Sequence, residues 1–143
     1  MILDAHNQFS DAQAVTADTI STNVIDLGSA GQNIGVGEDI YLVVSIQTTI
    51  AGPGDTLDVI LVTDDNAGIA SPTAILTLGT FPAESVAGTR FVVKLPISDL
   101  YERYLAVRFD PNGAGDLSAG NIDAFLTKDI HAFTAYPDNI TIS

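Results

Sequence analysis

The sequence predicts an all-β sandwich or barrel, on three observations. Apolar residues recur every second position in short runs rich in Val, Ile and Leu. Gly, Pro, Asp and Asn punctuate those runs at close intervals, and no long segment carries the 3.6-residue stripe of a packed helix. Alternate side chains of a strand point to opposite faces, so such runs suit elements with one face in a core.

In chain order, residues 1–22 are polar and alanine-rich, with Ile2, Leu3, Phe9 and Val15 as isolated apolar anchors. Ser10 followed by Gln13 matches a capping box, which permits a helical turn at Asp11–Val15. With no apolar stripe behind it, the segment is expected to be an extended arm (residues 1–19) lying on a surface. Ile20–Leu27 is the first expected strand, ended by Gly28, and 28–39 is a glycine-rich loop with a bridge allowed at Ile34–Val36.

Residues 40–63, IYLVVSIQTTIAGPGDTLDVILVT, form the centre of the pattern. Ile40, Leu42, Val44 and Ile46 line one face of the first run, and Leu57, Val59 and Leu61 one face of the second. Gly52-Pro53-Gly54-Asp55 between them has the permissive and pre-bent backbone of a reversal, so a mid-sheet hairpin is expected. Further strands follow at Thr73–Leu78, Arg90–Leu95, Tyr104–Phe109 and Ile122–Thr127, separated by loops at 64–72, 80–88 and 111–121. Residues 129–143 form a tail with Phe133, Tyr136 and Ile140 as spaced anchors. The count is seven strands, or eight with a bridge in the arm or near Ile34, within one domain: arm 1–19, sandwich 20–128, tail 129–143. Pattern alone leaves an immunoglobulin-like sandwich and a jelly roll both open, although the Cys and Trp markers of true immunoglobulin domains are missing.

Composition narrows function. Eighteen acidic residues against five basic ones give a net charge of −13, which repels phosphate backbones and argues against nucleic-acid binding. The absence of cysteine removes disulfides, thiolate zinc sites and cysteine nucleophiles. The opening MILDAHNQFSDAQ has no basic n-region or apolar h-region, and no apolar run reaches the ~20 residues of a membrane helix. A soluble chain used where it is made is expected, without a membrane.

The residues suggest no enzyme. His6 and His131 each lie near an aspartate (Asp4, Asp129), a pairing that can orient an imidazole for acid–base work, but no strained serine turn accompanies them. Asp64-Asp65-Asn66 and the loop with Asp110 and Asp116 offer hard oxygens of the kind calcium takes, without the alternating spacing of a calcium loop. Turn formation by the Asx side chains is the simpler role, and no metal or cofactor is expected. Tyr101 and Tyr104 suggest a sugar-stacking platform or, more simply, packing. Arg103 beside Glu102 suggests a local ion pair. Asn139-Ile140-Thr141 matches a glycosylation acceptor that has no meaning without secretion.

The run LDAHNQFSDAQAVTADTISTNVIDLGSAGQNIGVGEDIYLVV resembles the opening of small tailed-phage capsid proteins, the jelly-roll cement (decoration) proteins of the Bordetella-phage type. TDDNAG and SPT within 63–73, LGTFPA at 78–83, AGTRFVVKLP at 87–96, ERYLAVRFD at 102–110 and IDAFLTKDI at 122–130 continue it in order. The resemblance implies a jelly-roll β-sandwich of about eight antiparallel strands. It also implies a structural virion protein on the outer surface of the icosahedral capsid, bridging major capsid subunits and associating with itself as a dimer or trimer. On this reading arm and tail order against the capsid or a second subunit, and Phe9, Phe133 and Tyr136 are the candidate contacts. The alternatives are that both termini fold back on their own sandwich, and that the chain is a glycan-binding module of a tail fibre or baseplate.

Overall fold

The computed structural model describes residues 4–29, 34, 37–52, 56–112 and 116–128. Among these residues, nine strands follow a single 3-10 turn at Ala5–Asn7: β1 (Gln8–Ala14), β2 (Thr19–Ile20), β3 (Ile25–Asp26), β4 (Tyr41–Ala51), β5 (Thr56–Asp64), β6 (Thr73–Phe81), β7 (Arg90–Lys94), β8 (Tyr104–Asn112) and β9 (Ala119–Thr127). Sheet A has the order β1-β9-β4-β7, and sheet B the order β2-β8-β5-β6 with β3 also on β8. All pairings are antiparallel. Apart from β2–β3 and β5–β6, each pair of consecutive strands lies in opposite sheets. With β2 and β3 counted as two halves of one broken strand, this is the eight-stranded jelly roll.

The inward rows meet in one core. Leu42, Val44, Ile46 and Ile50 of β4 join Leu57, Val59 and Leu61 of β5, Leu105, Val107 and Phe109 of β8, and Ile122 and Ala124 of β9. The alternating pattern therefore identified the core residues correctly. The expected hairpin across 40–63 is corrected, because β4 and β5 are not paired: β4 lies between β9 and β7, and β5 between β8 and β6. Alternation fixes which side chains enter a core but not which sheet supplies the neighbour, so the two rows face one another across the sandwich. The hairpin of this region is β5–β6, in register from Leu57↔Phe81 to Thr63↔Thr73.

The N-terminal arm is also corrected. Residues 8–14 form β1, paired with β9, and Phe9 is 0% exposed in the central core together with Val15. The Phe9 carbonyl accepts from the Asn23 N–H at 2.8 Å, and the Val15 N–H donates to Gly120 at 2.9 Å. Ser10 and Gln13 are bonded (Oγ to Oε1, 2.6 Å), yet in a strand whose register shifts twice and whose Ala12 has φ 45°. Gln13 then reaches sideways, accepting from the Thr22 N–H at 2.8 Å and donating to the Ile20 carbonyl at 3.0 Å. A bulged strand, not a helix cap, uses this Ser-x-x-Gln.

The strand expected at Ile20–Leu27 is interrupted. Ser21, 4% exposed, accepts from the Val107 N–H through its Oγ at 3.1 Å and donates to Asn23 at 2.9 Å, so its side chain takes a place in the ladder. Arg108 clamps Asp18 (2.9 and 2.5 Å) and Arg103 clamps Asp26 (3.0 and 2.9 Å), tying both half-strands to β8. Arg103 thus pairs across the sheet rather than with Glu102. Ile34 packs on the core, whereas the remainder of the bridge expected there falls outside the described residues.

Candidate interaction surface

Some of the residues singled out from the sequence fall within the described structure and others do not. His6 sits exposed in the 3-10 turn, and Asp4 caps that turn by accepting the main-chain N–H of His6 at 2.9 Å. His6 and Asp26 line the same shallow cleft, but the Asp26 carboxylate is taken by Arg103 and the Gly28 N–H. His131, Asp129 and Asn139 lie outside the described residues, as do two of the three candidate contacts, Phe133 and Tyr136. Phe9, the third, is an interior residue of its own sandwich and has no surface to offer a partner.

The tyrosine pair does not form a platform. Tyr101 is 2% exposed in the central core and donates its hydroxyl to the Pro96 carbonyl at 2.8 Å; burial pushes its phenol up to about 12. Tyr104 instead packs outside sheet B in a second apolar cluster with Val62, Ile69 and Ala106, with Arg103 above its ring at 5.1 Å.

Asp64, Asp65 and Glu102 bring three carboxylates within 4.8 Å. Asp64, 2% exposed, uses both its oxygens locally: one accepts the Ser71 N–H at 2.7 Å and the other the Asn66 N–H at 2.9 Å. These donors, Ser71 foremost, hold its carboxyl below the ordinary carboxylate range. The bonds close the 65–72 loop over sheet B and seat Ile69 at φ 47°, a conformation β-branched residues avoid. The turn-forming role expected of these Asx residues is the one seen. Asp64→Asn offers one acceptor oxygen to two donors, so it is expected to lower the melting temperature by several degrees at neutral pH. A carboxyl with a depressed folded-state pKa contributes its stability above the unfolded value of ~3.9 and loses it as pH falls through the folded value. The gap between parent and variant should therefore narrow in acid, and thermal melts across a pH series check both parts.

The surface is most unusual along one edge. The four large hydrophobic side chains exposed among the described residues are Val86, Val92, Ile97 and Leu100, at 62%, 38%, 66% and 52%. All fall within fifteen consecutive residues that run through edge strand β7 and the loops on either side of it. In the register with β4, Ile46 bonds Thr89 and Leu95 bonds Ile40, so alternation turns the N–H and C=O of Val92 and Lys94 away from β4. Residues 85–98 hold Arg90 and Lys94 and no carboxylate, on a chain of net charge −13. Lys94 is paired with Asp39 at 2.6 Å.

This edge is rigidly supported. Phe91 turns inward from β7 and stacks on Phe81 of β6, with centroids 4.2 Å apart and planes at 28°. Gly79 makes room for it, since a Cβ at that position would stand 3.2 Å from the Phe91 ring. Tyr101 and its bond to Pro96 fix the loop that carries Ile97 and Leu100. In the sequence, the sign of this edge is the acid-free run at 85–98.

Fold and surface together define a jelly-roll sandwich with an apolar, acid-poor ridge along one edge. The chain belongs to the Bbp16 family, a family of Bordetella phage proteins, whose model matches residues 9–126. The match begins inside β1 and ends inside β9, so it spans the whole sandwich. No curated protein matches the chain.

Proposed function

We propose that this protein is a structural component of the virion that binds the outside of the icosahedral capsid and cements neighbouring major capsid subunits. Membership of a phage family supports the setting, and a self-contained sandwich suits a part that must be rigid before it docks. The observation that carries the reading is the ridge: of the four exposed large hydrophobics of the described residues, Val86, Val92 and Ile97 fall within the carboxylate-free run 85–98, and Leu100 follows close behind it. Charged residues are depleted at the centres of protein–protein interfaces and apolar side chains enriched. A chain of −13 meets another protein most easily through its acid-poor edge. Many copies on a closed shell reinforce one another, so a single site of moderate size suffices.

Electron cryo-microscopy of expanded capsids, assembled with and without the protein, tests this. Additional symmetric density astride capsomer boundaries, with the β7 edge toward the shell or toward an adjacent copy, is expected. A bare shell under both conditions would reject the function.

A further inference from the structure

The outer face of sheet B carries a groove that the ridge on β7 does not touch. Register sets Ile20 of β2, Arg108 of β8 and Ile60 of β5 side by side on that face. Around the first two, a shallow groove of about 500 Å³ is lined by Asp18, Thr19, Ile20, Ile69, Pro72 and Arg108. Its walls are apolar, with Ile20 on β2 and with Ile69 and Pro72 on the 65–72 loop. Its charge is uneven. The Arg108 guanidinium holds Asp18 closely, at 2.9 and 2.5 Å, and reaches Asp110 only at 3.3 Å. Asp110 in turn stands directly opposite Asp58 in the β5–β8 register, an arrangement in which like charges repel. Asp58 accepts from neutral donors, the Thr80 hydroxyl and the Asn112 amide. Among the described residues, Asp18, Asp110 and Asp58 thus stand around a single guanidinium.

We propose that this groove docks a lysine side chain carried on an extended segment of a partner protein. The stem lies along Ile20, Ile69 and Pro72, and the ammonium stands beside Asp18 and Asp110. Apolar walls select a long aliphatic cation over a bare ion, because a lysine stem covers apolar surface while its charge stays in water. The excess of carboxylate supplies the complementary charge. Arg108 already fills the planar, two-pronged role on Asp18, which leaves Asp110 for a compact ammonium. A shallow, open groove suits a side chain presented by a larger body, whereas free small molecules are held in concave sites that bury most of their surface. This docking is independent of the capsid reading. It uses the sheet opposite β7, and added salt weakens it where the apolar ridge is indifferent.

Capped Ala-Ala-Lys-Ala-Ala is the probe, followed through the amide chemical shifts of the isotope-labelled full chain at low salt. Saturable shifts at Thr19, Ile20, Ile69 and Arg108 are expected. Norleucine in place of the lysine keeps the stem without the charge, and diaminobutyrate keeps the charge on a shorter stem. Each should weaken binding about threefold or more. Asp110→Asn should do the same to the lysine peptide with the rest of the spectrum unchanged, and the two altered peptides carry the comparison if that variant does not fold. Equal binding of all three peptides, shifts spread over the whole acidic surface, or no shifts at all would overturn the proposal. The free diamine cadaverine binding as tightly as the lysine peptide would overturn it in favour of a small-molecule site.

Discussion

Aspartate at both Ile97 and Leu100 is expected to abolish decoration of expanded capsids while leaving the melting temperature nearly unchanged. The two side chains are 66% and 52% exposed and follow β7, so the folded monomer gives up little when they change. Burying such a side chain at an interface is worth roughly 1.5–3 kcal/mol, and much of that remains to be gained at these exposures. A carboxylate placed there must in addition lose its hydration against an apolar footprint, which costs further. Losses of this size, at ~1.4 kcal/mol per tenfold, weaken a site by at least about a hundredfold. Co-sedimentation with capsids measures it directly. Binding by the parent protein should change little between low and high salt, because the ridge is apolar; a steep loss at high salt would point to a charged footprint instead. Variants that decorate as well as the parent would remove the ridge from the capsid contact.

Phe9→Ala is expected to cost about 3–5 kcal/mol, in line with emptying a large aromatic site in a packed core. For a domain of this size that lowers the melting temperature by roughly 10–15 °C. The residue is 0% exposed among the central cluster, and the strand that carries it is irregular in register, so collapse around the void is limited. A surface arm would give the opposite result, with stability unmoved. Differential scanning calorimetry of the purified variant decides between them.

The contrast between those residues shows what the sequence disclosed. Rows such as 42/44/46, 57/59/61 and 105/107/109 were legible as core because several apolar side chains at period two leave one arrangement that buries them all. Phe9 was not, because β1 is the edge strand of sheet A and most of its other side chains meet solvent, with a bulge at Ala12 breaking what alternation remained. The pairing of β4 and β5 was misread for another reason: a Gly-Pro-Gly-Asp link can serve a hairpin or a crossing between sheets, and the flanking pattern is the same for both. The ridge was the least legible. Composition around Ile97 and Tyr101 is alike, yet one is 66% exposed and the other 2%, and only the path of the loop after Pro96 separates them.

The adjacency of β1 and β9 has a consequence for the life of the molecule before assembly. β1 finds its partner only when β9 has been made, so sheet A stays incomplete until then. Chains dominated by such distant pairings fold slowly, and the incomplete forms are prone to aggregate. Closure of sheet A is therefore a late step of folding. Until β9 has joined β1, the chain has no completed sheet A with which to bind anything.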